Sequence, residues 1–128
     1  MGNGTNIGRV RALGSAHSGS HHWLLQRFTA IANLLLGLFL LFSLAGLGDY
    51  AFPAVKAWAA KPVPSIALGL FVISTFWHAR LGLQVLVEDY VHEAANKFAA
   101  MALLNLSAFA GSAFGLLCVI RIALGAPA

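Results

Sequence analysis

The sequence predicts an all-α membrane protein of three transmembrane helices, and three observations carry that prediction. Composition is one: 59% of the 128 residues are hydrophobic and 9% are charged. Mean hydropathy is +0.80, well above what a water-soluble domain of this length carries. Another is the gathering of apolar residues into three runs, each long enough to cross about 30 Å of hydrocarbon at about 1.5 Å per residue. The third is the polar punctuation between them, where prolines and charges collect. One such bundle uses nearly all the apolar sequence and leaves nothing for a soluble catalytic domain, so demanding chemistry would depend on partner chains.

Residues 1–27 are expected to form a cytoplasmic N-terminal segment. Its stretch MGNGTNIGRVRALGSAHSGSHHW lacks the apolar core of a secretory signal and the amphipathic pattern of a transit peptide. The first span, 28–47, reads FTAIANLLLGLFLLFSLAGL without a charge. Asp49, Tyr50, Pro53, Lys56, Lys61, Pro62 and Pro64 then mark a polar connection. The second span, 66–87, contains Trp77, His78 and Arg80 and closes on Glu88, Asp89, Tyr90, Val91, His92 and Glu93. The third, 98–120, carries Gly111, Ser112, Ala113 and Gly115, small residues that let helices approach closely in a membrane. Trp23, Tyr50 and Trp58 read as interfacial belt residues.

Arg9, Arg11, Arg27 and Lys97 fall on one side of this topology, and Lys56, Lys61 and Arg121 on the other. The positive-inside tendency therefore places the N-terminus in the cytoplasm, with the acidic turn at 88–97 on the same side and able to meet the first segment. The net charge of +4 is scattered and suits anionic lipid head groups, with no nucleic-acid partner expected. Cys118 stands alone in an apolar run, which excludes an intramolecular disulfide and a thiolate cluster.

An ionisable residue inside a span is expensive and requires a partner, a cavity or a cofactor. His78 lies about 13 Å of helix from the end of its span, too deep for an imidazole to reach water. Gly82 follows one turn later, where a missing side chain leaves room for a flat ring, and Asp89 returns to within about 20° of the same face. Three uses of His78 remain open on residue chemistry: an axial ligand of haem iron, a neutral histidine bonding across helices to Ser or Thr, and a proton relay. His17, His21, His22 and His92 all fall outside the spans. A haem with two axial ligands would therefore take the second from another chain. His17, His21 and His22 sit among Gly and Ser in what reads as a mobile arm, a weak metal site.

Arg80 points about 200° away from His78 and is expected to snorkel toward head groups, with a specific site as the alternative. Arg27, at the mouth of the first span beside Gln26 and Thr29, is placed to clamp a carboxylate such as a haem propionate, or a lipid phosphate. Tyr90 has a hydroxyl able to donate to a carbonyl, and it is equally an ordinary interfacial anchor.

The motif HARLGLQVLVEDYV, with His78, Gly82, Asp89 and Tyr90, preceded by HHWLLQRFTAI with Arg27 and Thr29, resembles the D-type cytochrome b anchor of succinate dehydrogenase, respiratory complex II. The resemblance runs over nearly the whole chain. It implies a hetero-oligomeric helical bundle in the bacterial inner membrane, with partners in a C-type anchor subunit, an iron-sulfur subunit and a flavoprotein. It further implies that His78 ligates haem b, shared with the C-type anchor, and that Arg27 lies near the propionates. By the same resemblance Tyr90, supported by Asp89, binds ubiquinone as the substrate. The competing expectations are a non-enzymatic three-helix adaptor, with His78 and Arg80 as a polar packing pair, and the anchor of a fumarate reductase.

Overall fold

The structure, a computed structural model, describes residues 19–125. The expectations for Arg9, Arg11 and His17 lie outside the described residues. Four helices follow in order: α1 Gly19–Ala45, α2 Phe52–Ala59, α3 Pro62–Tyr90 and α4 Ala94–Ala123. No strand occurs among the described residues. Helices α1, α3 and α4 are each long and apolar enough to cross a membrane, and the chain is an all-α, multi-pass membrane protein.

The spanning helices outrun the predicted spans at most of their ends. A hydropathy boundary marks where water begins, but backbone hydrogen bonding continues until something interrupts it. No Gly or Pro stands between Ser20 and Arg27, so α1 starts before the apolar run and takes in His21, His22, Trp23 and Arg27. His21 and His22 are thus helical, not part of a mobile arm. Helix α3 opens with proline in its first turn, where the missing N–H has no intrahelical partner to lose. It continues through Glu88 and Asp89 to Tyr90. The Lys97 ammonium donates to the Glu88 carbonyl at 3.0 Å, satisfying a terminal acceptor of α3 across the three-residue turn. Helix α4 ends on Gly125, whose φ of 72° and N–H bond to Ile122 O at 3.1 Å form a left-handed cap.

The connection after α1 folds into a helix of its own. Tyr50 donates its hydroxyl to Ala45 O at 2.9 Å, and the Ala51 N–H donates to Asp49 Oδ1 at 2.9 Å. Pro53 sits in the first turn of α2 and starts the helix without breaking it. This helix turns Trp58 inward. The indole is only 7% exposed and donates Nε1–H to Ser43 Oγ at 2.9 Å, packing with Leu40, Ala59 and Ala67. Trp58 is therefore a core residue and not a belt residue, because α2 packs it against Leu40 and Ser43 of α1. A double-mutant cycle of Trp58→Phe with Ser43→Ala is expected to give a coupling of about 0.6–1 kcal/mol in thermal denaturation in detergent. Additive effects would show that the bond contributes nothing.

Helix α3 lies in the middle, with α1 against one side and α4 against the other. On the α4 side a Cβ at Gly111 would run into the Phe76 ring, and one at Gly115 would stand 2.7 Å from Val72 Cγ1. The small residues of the third span thus bring two backbones together, as expected. On the α1 side Gly37 accommodates Phe71. Little else is buried, and apolar side chains such as Phe28, Phe42, Leu103 and Phe109 are exposed along both outer helices. That distribution suits lipid and further helices as the surroundings.

Candidate functional site

The contact between α1 and α3 is a polar seam within two apolar helices. On α1, His22, Gln26, Thr29 and Asn33 recur at intervals of three or four residues and so share one face. Facing them on α3 are Ser74, Thr75, His78 and Gly82. Ser74 Oγ donates to Thr29 O at 3.3 Å, and Thr75 Oγ1 donates to Asn33 Oδ1 at 3.4 Å. His78 Nδ1 lies 3.0 Å from Thr29 Oγ1. That hydroxyl also stands 2.8 Å from Leu25 O and 3.1 Å from Gln26 O of its own helix.

His78 is partly buried in this seam, close to the midpoint of α3 and about 18 Å from its Tyr90 end. Gly82 lies on the same seam, with Gln26 Nε2 3.5 Å from where a Cβ would stand. The gap expected to receive a flat ring therefore borders the Gln26 side chain of α1. Two seam atoms, His22 Nε2 and Gln26 Oε1, are buried without a hydrogen-bond partner among the described residues. Buried polar atoms are seldom left so.

At the end of the seam, His21, His22, Gln84 and Glu88 border a cavity of about 360 Å³. The start of α1 and the acidic end of α3 therefore meet, as the topology predicts. Asp89 and Tyr90 are exposed at this end. Tyr90 stands at one end of an apolar groove of about 520 Å³ between α3 and α4, lined by Leu83, Leu86, Val87, Leu103 and Leu104. Arg27 is not brought to His78. It is exposed on the outer face of α1, its guanidinium 4.4 Å from the centroid of the Trp23 ring.

Arg80 departs from expectation. Instead of snorkelling, it donates Nε–H across to Asn105 Oδ1 of α4 and stacks 5.5 Å from the Trp77 ring centroid. A side-chain acceptor on the neighbouring helix offers at membrane depth what head groups offer at the surface. His78 and Arg80 thus engage different helices and are not a packing pair. Among the described residues no three metal-ligating side chains converge, so His21 and His22 form no such group.

A family model described as succinate dehydrogenase/fumarate reductase transmembrane subunit matches residues 1–114. The chain belongs to that family. Its relatives include the succinate dehydrogenase hydrophobic membrane anchor subunit of Rickettsia bellii, 46% identical over 87 residues, which are 66% of this chain and 68% of the relative. The succinate dehydrogenase membrane anchor subunit of Reclinomonas americana is 35% identical over 94 residues, 71% of this chain and 78% of the relative. The hydrophobic membrane anchor subunit of Paracoccus denitrificans is 29% identical over 118 residues, 91% of this chain and 90% of the relative.

Within this transmembrane-subunit fold, the α1 side of the seam is not a motif that stands out in the sequence. Gln26 and Thr29 drew notice only as neighbours of Arg27, and Asn33 drew none. The available signal was their periodicity: in a helix apolar on every side, polar residues at i, i+4, i+7 and i+11 from His22 mark the face that meets protein.

Proposed function

We propose that this chain is the hydrophobic membrane anchor of a succinate:ubiquinone oxidoreductase in a bacterial inner membrane, with its N-terminus in the cytoplasm. It holds the iron-sulfur and flavoprotein subunits at the membrane together with a C-type anchor. It supplies His78 as one axial ligand of haem b and contributes Tyr90 and Asp89 to the ubiquinone site. The observation that carries this reading is the imidazole near the middle of a spanning helix, oriented through Nδ1 by Thr29 so that Nε2 is the nitrogen left for ligation. The apolar side chains exposed on both outer helices provide the surface on which a second anchor chain would pack.

The residues present fit a haem in donor type and setting: a neutral nitrogen ligand, a low-dielectric surround, and unpartnered polar atoms of His22 and Gln26 nearby. Gly82 belongs to this site by admitting Gln26. Arg27, at the same end of α1, offers a guanidinium to a propionate or a lipid phosphate. When bound, haem b would supply a second resting place for an electron.

The quinone chemistry rests on Tyr90. Its hydroxyl, exposed at one end of the apolar groove, donates a hydrogen bond to a quinone carbonyl, where negative charge grows during reduction. The groove suits the apolar part of the same molecule. Asp89, exposed beside it, passes protons from water toward the reduced oxygens. In the assembled complex Tyr90→Phe is expected to lower quinone reduction about tenfold, the value of one hydrogen bond of about 1.4 kcal/mol. Succinate oxidation with a soluble artificial acceptor should stay near wild type. Equal loss of both activities would show that Tyr90 holds the assembly together and does not bind quinone.

A further inference from the structure

The Thr29 hydroxyl has a single proton and three polar neighbours. Two are carbonyl oxygens, Leu25 O at 2.8 Å and Gln26 O at 3.1 Å, and the third is His78 Nδ1 at 3.0 Å. A carbonyl can only accept. If the proton pointed at His78, two carbonyl lone pairs would face the hydroxyl lone pairs at hydrogen-bond distance with nothing between them. With the proton on the α1 backbone, donated to Leu25 O or shared between the two carbonyls, the hydroxyl oxygen is free to accept from the ring. From this geometry we infer that Thr29 is a positioning residue for the haem site: it holds His78 as the Nδ1–H tautomer and leaves the lone pair on Nε2. This inference rests on the proposed ligation of haem b by His78.

Two consequences follow from the chemistry of imidazole. The Nε2–H tautomer has no lone pair at Nε2, so an imidazole free to exchange tautomers spends part of its time unable to ligate there. An acceptor at Nδ1–H also makes the ring a stronger donor through Nε2, which favours the ferric over the ferrous ion. The hydroxyl is itself held by the α1 backbone, so its oxygen is aimed before any cofactor arrives. The Ser74 hydroxyl makes the adjacent link between the helices, donating to Thr29 O at 3.3 Å and not to the imidazole. It therefore separates a role in tautomer selection from a role in helix packing.

The test is a redox titration of the b-type absorption in the purified complex, with the low-spin ferric EPR signal, for wild type, Thr29→Val, Thr29→Ser, Ser74→Ala and His78→Leu. Thr29→Val keeps the side-chain volume and removes the acceptor. It is expected to raise the midpoint potential by about 59 mV, a tenfold change in the preference for ferric over ferrous haem, and to shift the EPR signal. Thr29→Ser should restore wild-type values, and Ser74→Ala should leave them unmoved. If Thr29→Val fails to assemble, Thr29→Ser against Thr29→Cys, a weaker acceptor of similar size, gives the same comparison. An unchanged potential and EPR signal in Thr29→Val, or equal shifts in Thr29→Val and Ser74→Ala, would overturn the tautomer assignment while leaving haem ligation standing. A wild-type complex without a b-type band, or a band untouched in His78→Leu, would overturn the haem reading and this inference with it.

Discussion

Gly111→Leu is expected to destabilise the protein by about 2–3 kcal/mol, the upper range of overpacking effects, read as a lower melting temperature in detergent and less chain in the membrane. The reason is local. Even the first carbon of a side chain at Gly111 would occupy the Phe76 ring, and one turn later Gly115 leaves no more room beside Val72. Valine is branched at Cβ and cannot swing aside cheaply. Either the Phe76 ring leaves its place or the two helices separate, and in lipid no hydrophobic effect draws them back, since acyl tails are as apolar as the side chains of either helix. Two comparisons guard the interpretation. Gly48→Ala, where an added Cβ meets nothing within 4 Å, should be close to neutral. Phe76→Ala combined with Gly111→Leu should be more stable than the sum of the single changes, because the ring and the new side chain compete for one space. A Gly111→Leu protein that melts with wild type would show that α3 and α4 do not pack in this register.

Gly111 and Gly115 also show which parts of the fold were legible in the sequence. Close contact between membrane helices requires small residues, so their clustering on the third span pointed to a tight interface without naming its partner. Span number and the meeting of α1 with the acidic end of α3 were legible for a similar reason: apolar length and alternating sidedness leave few arrangements. Helix ends were less so. Apolar runs report contact with lipid, and the hydrogen-bonded backbone of α1 passes that limit by several residues before Phe28. Helix α2 and the burial of Trp58 were hidden because a short helix with lysine and proline reads as an interfacial loop until its packing under Leu40 is known. The α1 side of the seam was obscured for another reason. Lipid and protein are both apolar surroundings, so the pattern of Leu and Phe on α1 does not say which face is covered. Only the polar minority carries that information, and it must be read together along the helix. Gly82 illustrates the limit: a gap on one helix can be inferred from sequence, but whether Gln26 of another helix borders it depends on the register between them.

The largest functional effect is expected from His78→Leu, which on the proposed reading should remove the b-type band from the reduced-minus-oxidised spectrum of the complex, since loss of a direct ligand should cost more than the roughly 10–100-fold in affinity typical of outer partners. Such a loss identifies a ligand only if the substitution leaves the fold intact, and the seam indicates that it will. Thr29 Oγ1 already contacts Leu25 O and Gln26 O, so removing the imidazole does not strand the hydroxyl without a partner. The neighbouring links, Ser74 to Thr29 and Thr75 to Asn33, do not pass through His78. Leucine is close to histidine in size and adds an apolar group where the bilayer or a helix would surround it. The variant should therefore assemble with its partner subunits and keep succinate oxidation by a soluble acceptor. If His78 were only a packing residue bonded to Thr29, the result would invert: a full b-type band, or none in wild type, with a loss of stability of about 1 kcal/mol for the missing interhelical bond. Ligand and packing residue thus differ in which of the two readouts moves, and Nε2, which the Thr29 contact leaves to other partners, is the atom that decides between them.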